Sequence, residues 1–317
     1  MQYNNRVAKI AINNIVWILL ILAVLIMGLV DSAFYSIPIL KNILIQASVL
    51  GIITVGLSHV ILMGEIDLSI VGVLGFSAGL GTVLMSKGFP WFLSIIIIIL
   101  FGVLVGFING VLVTKLKAAA LIQTLAVSFI LEGALLALTQ GTTITNFPDA
   151  YTWLGQSYIL GIPTMPIPFI LLFVIVYFIW NKTVYGRSLF AAGGNPTGAY
   201  VSGINVSRIK ISTFAIAGGT YGLGGYMLSS YMGAVTTNFG SELLMYGLAA
   251  AVIGGISLKG GKGRIFGVLG GVLLLTAIDV GLQVLGIDSF YVTMAGGIMI
   301  FIAVIIDALK NIFFDDD

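Results

Sequence analysis

The 317-residue sequence has no cysteine, one histidine and very little charge, with Asp, Glu, Lys and Arg together making up 8%. Without cysteine there is no disulfide, no thiolate nucleophile and no cysteine metal site. With His59 as the lone histidine, a histidine-based metal cluster is excluded as well. The scarcity of charge excludes more. Soluble domains are roughly a quarter charged, and a chain that is 59% hydrophobic cannot cover the surface of a soluble globule. A disordered chain and a coiled coil are ruled out on the same composition. The alternating segments of roughly ten residues that build a membrane β-barrel are also missing. The catalytic and nucleotide motifs are absent too: there is no G-x-x-x-x-G-K-[ST] loop, no Ser-His-Asp set and no H-E-x-x-H helix. An enzyme is therefore not expected, nor a cofactor bound by this chain. The net charge of +2 gives no reason to expect nucleic acid.

What the chain does contain is apolar runs of about 20 residues, repeated along its length. The fold class read from them is an all-α polytopic membrane protein of about ten transmembrane helices. The expected spans are residues 15–30, 43–62, 70–85, 92–114, 119–139, 167–180, 211–230, 242–258, 265–285 and 290–309. Several are short for a full crossing, so tilted or partial spans are expected. Arg6 and Lys9 precede the first run without a small-x-small cleavage site after it, so it reads as a retained span. With the N-terminus in the cytoplasm, ten spans place 12 of the 14 basic residues inside and leave only Lys41 and Lys87 outside. That asymmetry is the positive-inside signature and predicts cytoplasmic N- and C-termini. The acidic end, Asp315 to Asp317, counts little in this rule. No loop is long enough for a soluble domain, so residues 1–317 are read as one membrane domain.

The 41 glycines fall into two classes. One class lies on helix faces at spacings of four: Gly102, Gly106 and Gly110; Gly218 and Gly222; Gly263, Gly267 and Gly271. Such ridges let backbones approach closely, either within the bundle or across a dimer seam. The second class sits in loops. The longest inner loop, residues 181–210, contains Asn195-Pro196-Thr197-Gly198-Ala199-Tyr200-Val201-Ser202-Gly203. Asn195 suits an N-cap, Pro196 suits the first helical position, and Gly203 suits a left-handed C-terminal cap. A helix of about two turns is expected there, roughly 10 Å long. It is a candidate lever for a soluble partner, or else a plain amphipathic re-entry helix.

The loop glycines carry a resemblance. Gly64-Glu65-Ile66-Asp67-Leu68-Ser69, Gly186-Arg187, Ala192-Gly193-Gly194-Asn195, Ser202-Gly203-Ile204-Asn205-Val206, Val252-Ile253-Gly254-Gly255-Ile256-Ser257-Leu258 and Gly260-Gly261-Lys262-Gly263-Arg264 occur in an order and spacing that resemble the ribose-type permeases of bacterial ABC importers along nearly the whole chain. The resemblance implies a multi-pass protein of the bacterial cytoplasmic (inner) membrane. It implies a pathway for a simple sugar such as a ribose-like pentose, a hexose or a related furanose. The implied partners are a second permease subunit, two cytoplasmic ATPases that hold ATP-Mg, and an external substrate-binding protein. It also implies that the segment from Asn195 to Gly203 is the coupling helix seated in the ATPase, with Gly186, Arg187, Gly193, Gly194, Asn195, Pro196, Ser202 and Gly203 as coupling residues. The sequence departs from the family pattern in places. Ala119 and Ala120 stand where prolines are usual, Glu132 stands where an arginine is common, and Leu244 and Tyr246 replace a glutamate and an aspartate. Gly64-Glu65 replaces the commoner Gly-Gly.

An acid within a span costs a few kcal/mol on insertion scales and calls for a reason. Glu132 and Asp279 are expected at similar depth in the outer half, where two acceptors could meet sugar hydroxyls. Gln46, Asn109 and Gln123 read first as interhelical hydrogen-bonding groups and second as pathway contacts. Glu65 and Asp67 are structural or gating residues, with Asp67 expected to cap the third span. Glu242 and Asp288 lie at outer edges, suited to meet the binding protein. His59, in an apolar run, reads as a neutral packing residue. An ion-coupled secondary sugar transporter using Glu132, Asp279 and His59 is the alternative, although no inverted repeat or paired broken helices are visible. A passive channel is a third reading.

Overall fold

Each of the ten apolar runs folds as a helix in the computed structural model, which describes residues 14–314. The helices are α1 (Ile15–Val30), α2 (Ile37–Leu62), α3 (Ile70–Ser86), α4 (Trp91–Lys115), α5 (Ala120–Thr139), α7 (Pro166–Lys182), α10 (Val206–Met232), α11 (Leu243–Ile253), α12 (Ile265–Val284) and α13 (Ser289–Phe314). Three shorter helices lie between them: α6 (Asp149–Gln156), α8 (Val184–Gly194) and α9 (Pro196–Val201). Among the described residues, four helices are able by length and composition to cross a membrane alone: α2, α4, α5 and α12. A fifth crossing arises if α7 and α8, bent by 73°, count as one broken span. Of the remaining helices, α1, α3, α10 and α11 fall short for visible reasons. α1, α3 and α11 have 16, 17 and 11 residues, and α10 dilutes its apolar residues with glycine, serine, threonine and tyrosine. α11 was expected to reach residue 258; it stops at Gly254-Gly255, where Gly255 turns to φ +87°. Arg6, Lys9 and the acidic end at residues 315–317, which entered the orientation argument, lie outside the described residues.

α2 is the axis of the bundle. It is hydrophobic all round, as a fully enclosed helix must be, and nearly every residue from Ala47 to Leu62 is buried. α7, α10, α11 and α12 pack around it. In a bilayer the solvent is as apolar as the side chains, so tight packing and polar contacts, rather than water exclusion, hold helices together. The glycine ridges supply that packing inside one chain. A Cβ on Gly102, Gly106 or Gly110 would strike the backbone of Gly218, Phe214 or Ile211 on α10, and one on Gly218 or Gly222 would strike Gly102 or Ile98 on α4. Gly267 and Gly271 fit in the same way against Gly254 and Ala250. Of the two readings open for these ridges, packing within the bundle is the one observed.

The segment from residue 140 to 165 is more ordered than a loop. α6 lies on the end of α10, with Tyr151 fully buried and its hydroxyl 2.6 Å from Ser229 Oγ. Burial holds the Tyr151 phenol above its ordinary range, so it stays neutral. Ser230 Oγ donates to the Tyr151 carbonyl at 2.9 Å and accepts from the Gly155 amide at 2.8 Å. A small hairpin, Tyr158–Ile159 against Ile162–Pro163, follows.

Candidate functional site

The segment from Asn195 to Gly203 has the caps its residues dictate. Asn195 Oδ1 accepts from the Gly198 amide at 2.8 Å. At the other end the Gly203 amide donates to the Tyr200 carbonyl and the Ile204 amide to the Ala199 carbonyl, both at 3.0 Å. These paired bonds close the helix in a Schellman motif, which requires the left-handed φ of +83° that Gly203 adopts. Tyr200 and Val201 are 74% and 80% exposed, an apolar tip with nothing of its own chain over it. Ahead of it, Thr183 accepts from the Gly186 amide at 3.1 Å and starts α8. Gly186 is buried against the Ile179 and Trp180 backbone, and Arg187 is exposed. Trp180 in turn donates to His59 Nε2 at 3.0 Å, while His59 Nδ1 lies 2.9 Å from the Val55 carbonyl. Both imidazole nitrogens are taken, and the accepting Nε2 fixes the neutral Nδ1–H tautomer.

Behind the exposed tip is a joint made of backbone. A Cβ on Gly193 would collide with the Leu62 carbonyl, and one on Gly261 would collide with Gly194. The Gly261 amide donates to the Leu62 carbonyl at 2.8 Å. Gly260 and Gly261 hold φ values of +84° and +70°, which a side chain would resist. The end of α8, the end of α2 and the loop at residues 260–261 are therefore joined with no side chain between them.

Next to the joint, the break at residues 64–69 is pinned from two directions. Glu65 forms an ion pair with Lys210 at the start of α10. Asp67, fully buried, accepts from the Ser69 amide at 2.8 Å and the Ser69 hydroxyl at 2.6 Å. This differs from the expected cap: the carboxylate folds onto Ser69, the residue before the helix, and Ser69 passes the contact on. Asn109 Nδ2 donates to Ser69 Oγ at 2.9 Å, and Gln123 Nε2 donates to Asn109 Oδ1 at 2.9 Å. Higher on α5, Ser128 Oγ donates to Glu132 at 2.6 Å and accepts from the Gly72 amide at 3.1 Å. Asn109, Gln123 and Glu132 thus belong to a polar ladder tying α5 to α3 and α4.

A separate cavity of about 350 Å³ lies between α2, α10, α11 and α12. Gln46, Tyr231, Glu242, Tyr246, Thr276 and Asp279 supply its polar lining. Asp279 accepts from Tyr246 Oη at 3.1 Å and from Gln283 Nε2 at 2.8 Å. Gln46 Nε2 donates to Asn42 Oδ1 at 3.3 Å. Thr276 is 3% exposed, and its hydroxyl has no hydrogen-bond partner among the described residues. Of the five residues expected to line a pathway, the structure brings Gln46 and Asp279 together here. Glu132, Asn109 and Gln123 lie on the other side of the bundle. Sequence reasoning missed Thr276 as a lining group and took Glu242 for an outer-edge contact. A lone threonine in a span carries no signal that separates it from a packing residue.

A family described as "Branched-chain amino acid transport system / permease component" matches residues 39–303. The chain belongs to this permease family. Among its relatives, the ribose import permease protein of Bacillus subtilis is 38% identical over 294 residues, covering 92% of this chain and 91% of the relative. The ribose import permease protein of Haemophilus influenzae is 35% identical over 308 residues, 96% of this chain and 95% of the relative. The galactose/methyl galactoside import permease protein of Salmonella typhimurium is 31% identical over 314 residues, 92% of each chain. No solved structure matches. The resemblance to ribose-type permeases is borne out. As a permease component the chain is a transporter subunit, not an enzyme, and a multi-pass membrane protein.

Proposed function

We propose that this chain is the permease subunit of a binding-protein-dependent ABC importer of the bacterial inner membrane, passing a simple sugar such as a pentose, hexose or related furanose. It forms one membrane domain over residues 1–317 with about ten spans and both termini cytoplasmic. Support for that orientation comes from contacts that sort the loops into two sets. Residues 64–69, 183–205 and 254–264 meet one another at the glycine joint. On the opposite side, Ile144 pairs with Val235, Lys41 Nζ lies 5.4 Å from the Tyr158 ring centroid, and α6 packs on the end of α10. The partners are a second permease, identical or not, two ATPases that hold ATP-Mg, and an external binding protein.

One observation carries the mechanism. α2 ends at the joint beneath the exposed coupling helix, and the same helix lines the cavity through Ile45, Gln46, Val49 and Leu50. It has 26 residues, a rod of roughly 39 Å. Movement of α8 and α9 by the ATPases therefore reaches the cavity wall through one rigid element. Gln46, Glu242, Tyr246, Thr276 and Asp279 present acceptors and hydroxyls to a neutral polyol. Glu65 and Asp67 act at the gate, while Asn109, Gln123 and Glu132 hold the bundle. The test is reconstitution of this chain with its ATPase, partner permease and binding protein in proteoliposomes. Uptake of ribose or galactose that requires ATP and the binding protein, and that falls at least tenfold in Asp279→Asn, about the worth of one charged hydrogen bond, is expected. Uptake by this chain alone on a proton gradient would overturn the reading in favour of an ion-coupled carrier.

A further inference from the structure

A second cavity, of about 410 Å³, opens where the end of α4, the loop before α5 and the start of α10 meet. The transport path described above does not use it, and its chemistry differs. Thr114, Lys117, Ser207 and Lys210 line it together with the backbone at Ala119 and Ala120. Ala119 stands at the N-cap of α5 and gives no side-chain hydrogen bond, so the amides of the first turn lack a cap. Free amides and the helix dipole at such an end favour an anion. Lys117 is held beside it at φ +54°, a conformation unusual for lysine. The Thr114 hydroxyl oxygen is buried and has no hydrogen-bond partner among the described residues. Glu65 also lines the cavity, but Lys210 already neutralises it. The remaining balance is positive. Ala119 and Ala120 each keep a backbone N–H, so two donors are available at the cavity wall.

We propose that this cavity binds a phosphate-bearing anion, held by Lys117, Lys210, the hydroxyls of Thr114 and Ser207, and the amides of Ala119 and Ala120. Several oxygens on one charged group answer this many donors at once, as phosphate does at helix N-termini. The anion competes with Glu65 for Lys210. It thereby loosens the tie between α10 and the break at residues 64–69, and so bears on the gate. The cytoplasmic placement of this cavity rests on the orientation proposed above; binding itself does not, and is read without any uptake measurement.

The experiment uses the full chain in nanodiscs, with two arms. In phosphatidylcholine discs, inorganic phosphate is titrated and binding followed by phosphorus NMR, with chloride at equal ionic strength as control. In discs containing phosphatidylglycerol without free phosphate, the lipid retained by the protein is measured by native mass spectrometry. Saturable binding in the first arm assigns a soluble phosphate, and selective retention only in the second assigns a lipid headgroup. In either case Lys117→Gln weakens binding about tenfold, the worth of one charge-assisted hydrogen bond. Ala120→Pro removes a donor without disturbing the fold. Proline suits the first helical position, and Ala119, at φ −63° and ψ 116°, already has the extended conformation that a following proline needs. Ala120→Pro is expected to weaken binding several-fold with the thermal unfolding temperature unchanged. No saturable binding in either arm, or binding undiminished in both variants, would overturn the proposal.

Discussion

In an apolar interior a hydroxyl without a partner costs about 1–3 kcal/mol, and Thr276 keeps one at the wall of the cavity between α2, α10, α11 and α12. Thr276→Val, which keeps the shape and removes the oxygen, is therefore expected to reduce sugar uptake while leaving the melting temperature in detergent the same or higher. A lower melting temperature with normal uptake would assign the threonine to structure instead. Asp279 and Glu132 show what sequence alone could and could not resolve. Their position along each helix was readable by counting residues from its start. Their direction around the helix axis was not. Asp279 faces the cavity beside Tyr246, whereas Glu132 turns to Ser128 on its own helix. Depth fixes one coordinate of a residue in a bundle, and azimuth depends on neighbours that are distant in the chain.

Helices were the most readable part of the fold, because a bilayer forces the backbone to satisfy itself within each segment. The helix proposed for coupling was readable to the residue, since Asn195, Pro196 and Gly203 each carry a local preference that no tertiary contact overrides. Its exposed tip gives a sharp expectation. Tyr200→Asp leaves the permease folded, because the side chain touches little of its own chain, but uncouples it. The measurement is copurification of the ATPase, together with ATP hydrolysis stimulated by the loaded binding protein, and both fall. The packing of α4 on α10 makes the opposite kind of prediction. Gly106→Leu drives a side chain into the Phe214 backbone, and overpacking of this sort costs about 1–3 kcal/mol or more. Loss of thermal stability with no folded, uncoupled intermediate is the expected result. A stable variant would show that the two helices can separate. The α11 boundary was less readable, because Gly254-Gly255 ends the helix while the apolar run continues past it.

For the whole molecule, the absence of cysteine becomes an experimental handle. A single cysteine introduced at Leu160, 97% exposed at the hairpin tip, is expected to react with a membrane-impermeant maleimide added to intact cells. One introduced at Tyr200 reacts only after the membrane is opened. Labelling of both from outside would refute the proposed orientation.

The joint of Gly193, Gly260 and Gly261 against Leu62 has a further consequence. It contains no side chain, so it has no chemistry that a transported molecule could influence and none that a change of cargo would need to alter. The cavity wall, by contrast, consists of side chains that can be exchanged one at a time. On the proposed mechanism, drive and selectivity are built from different materials in this chain. A new cargo can be accommodated by rewriting the wall while the same transmission continues to turn it.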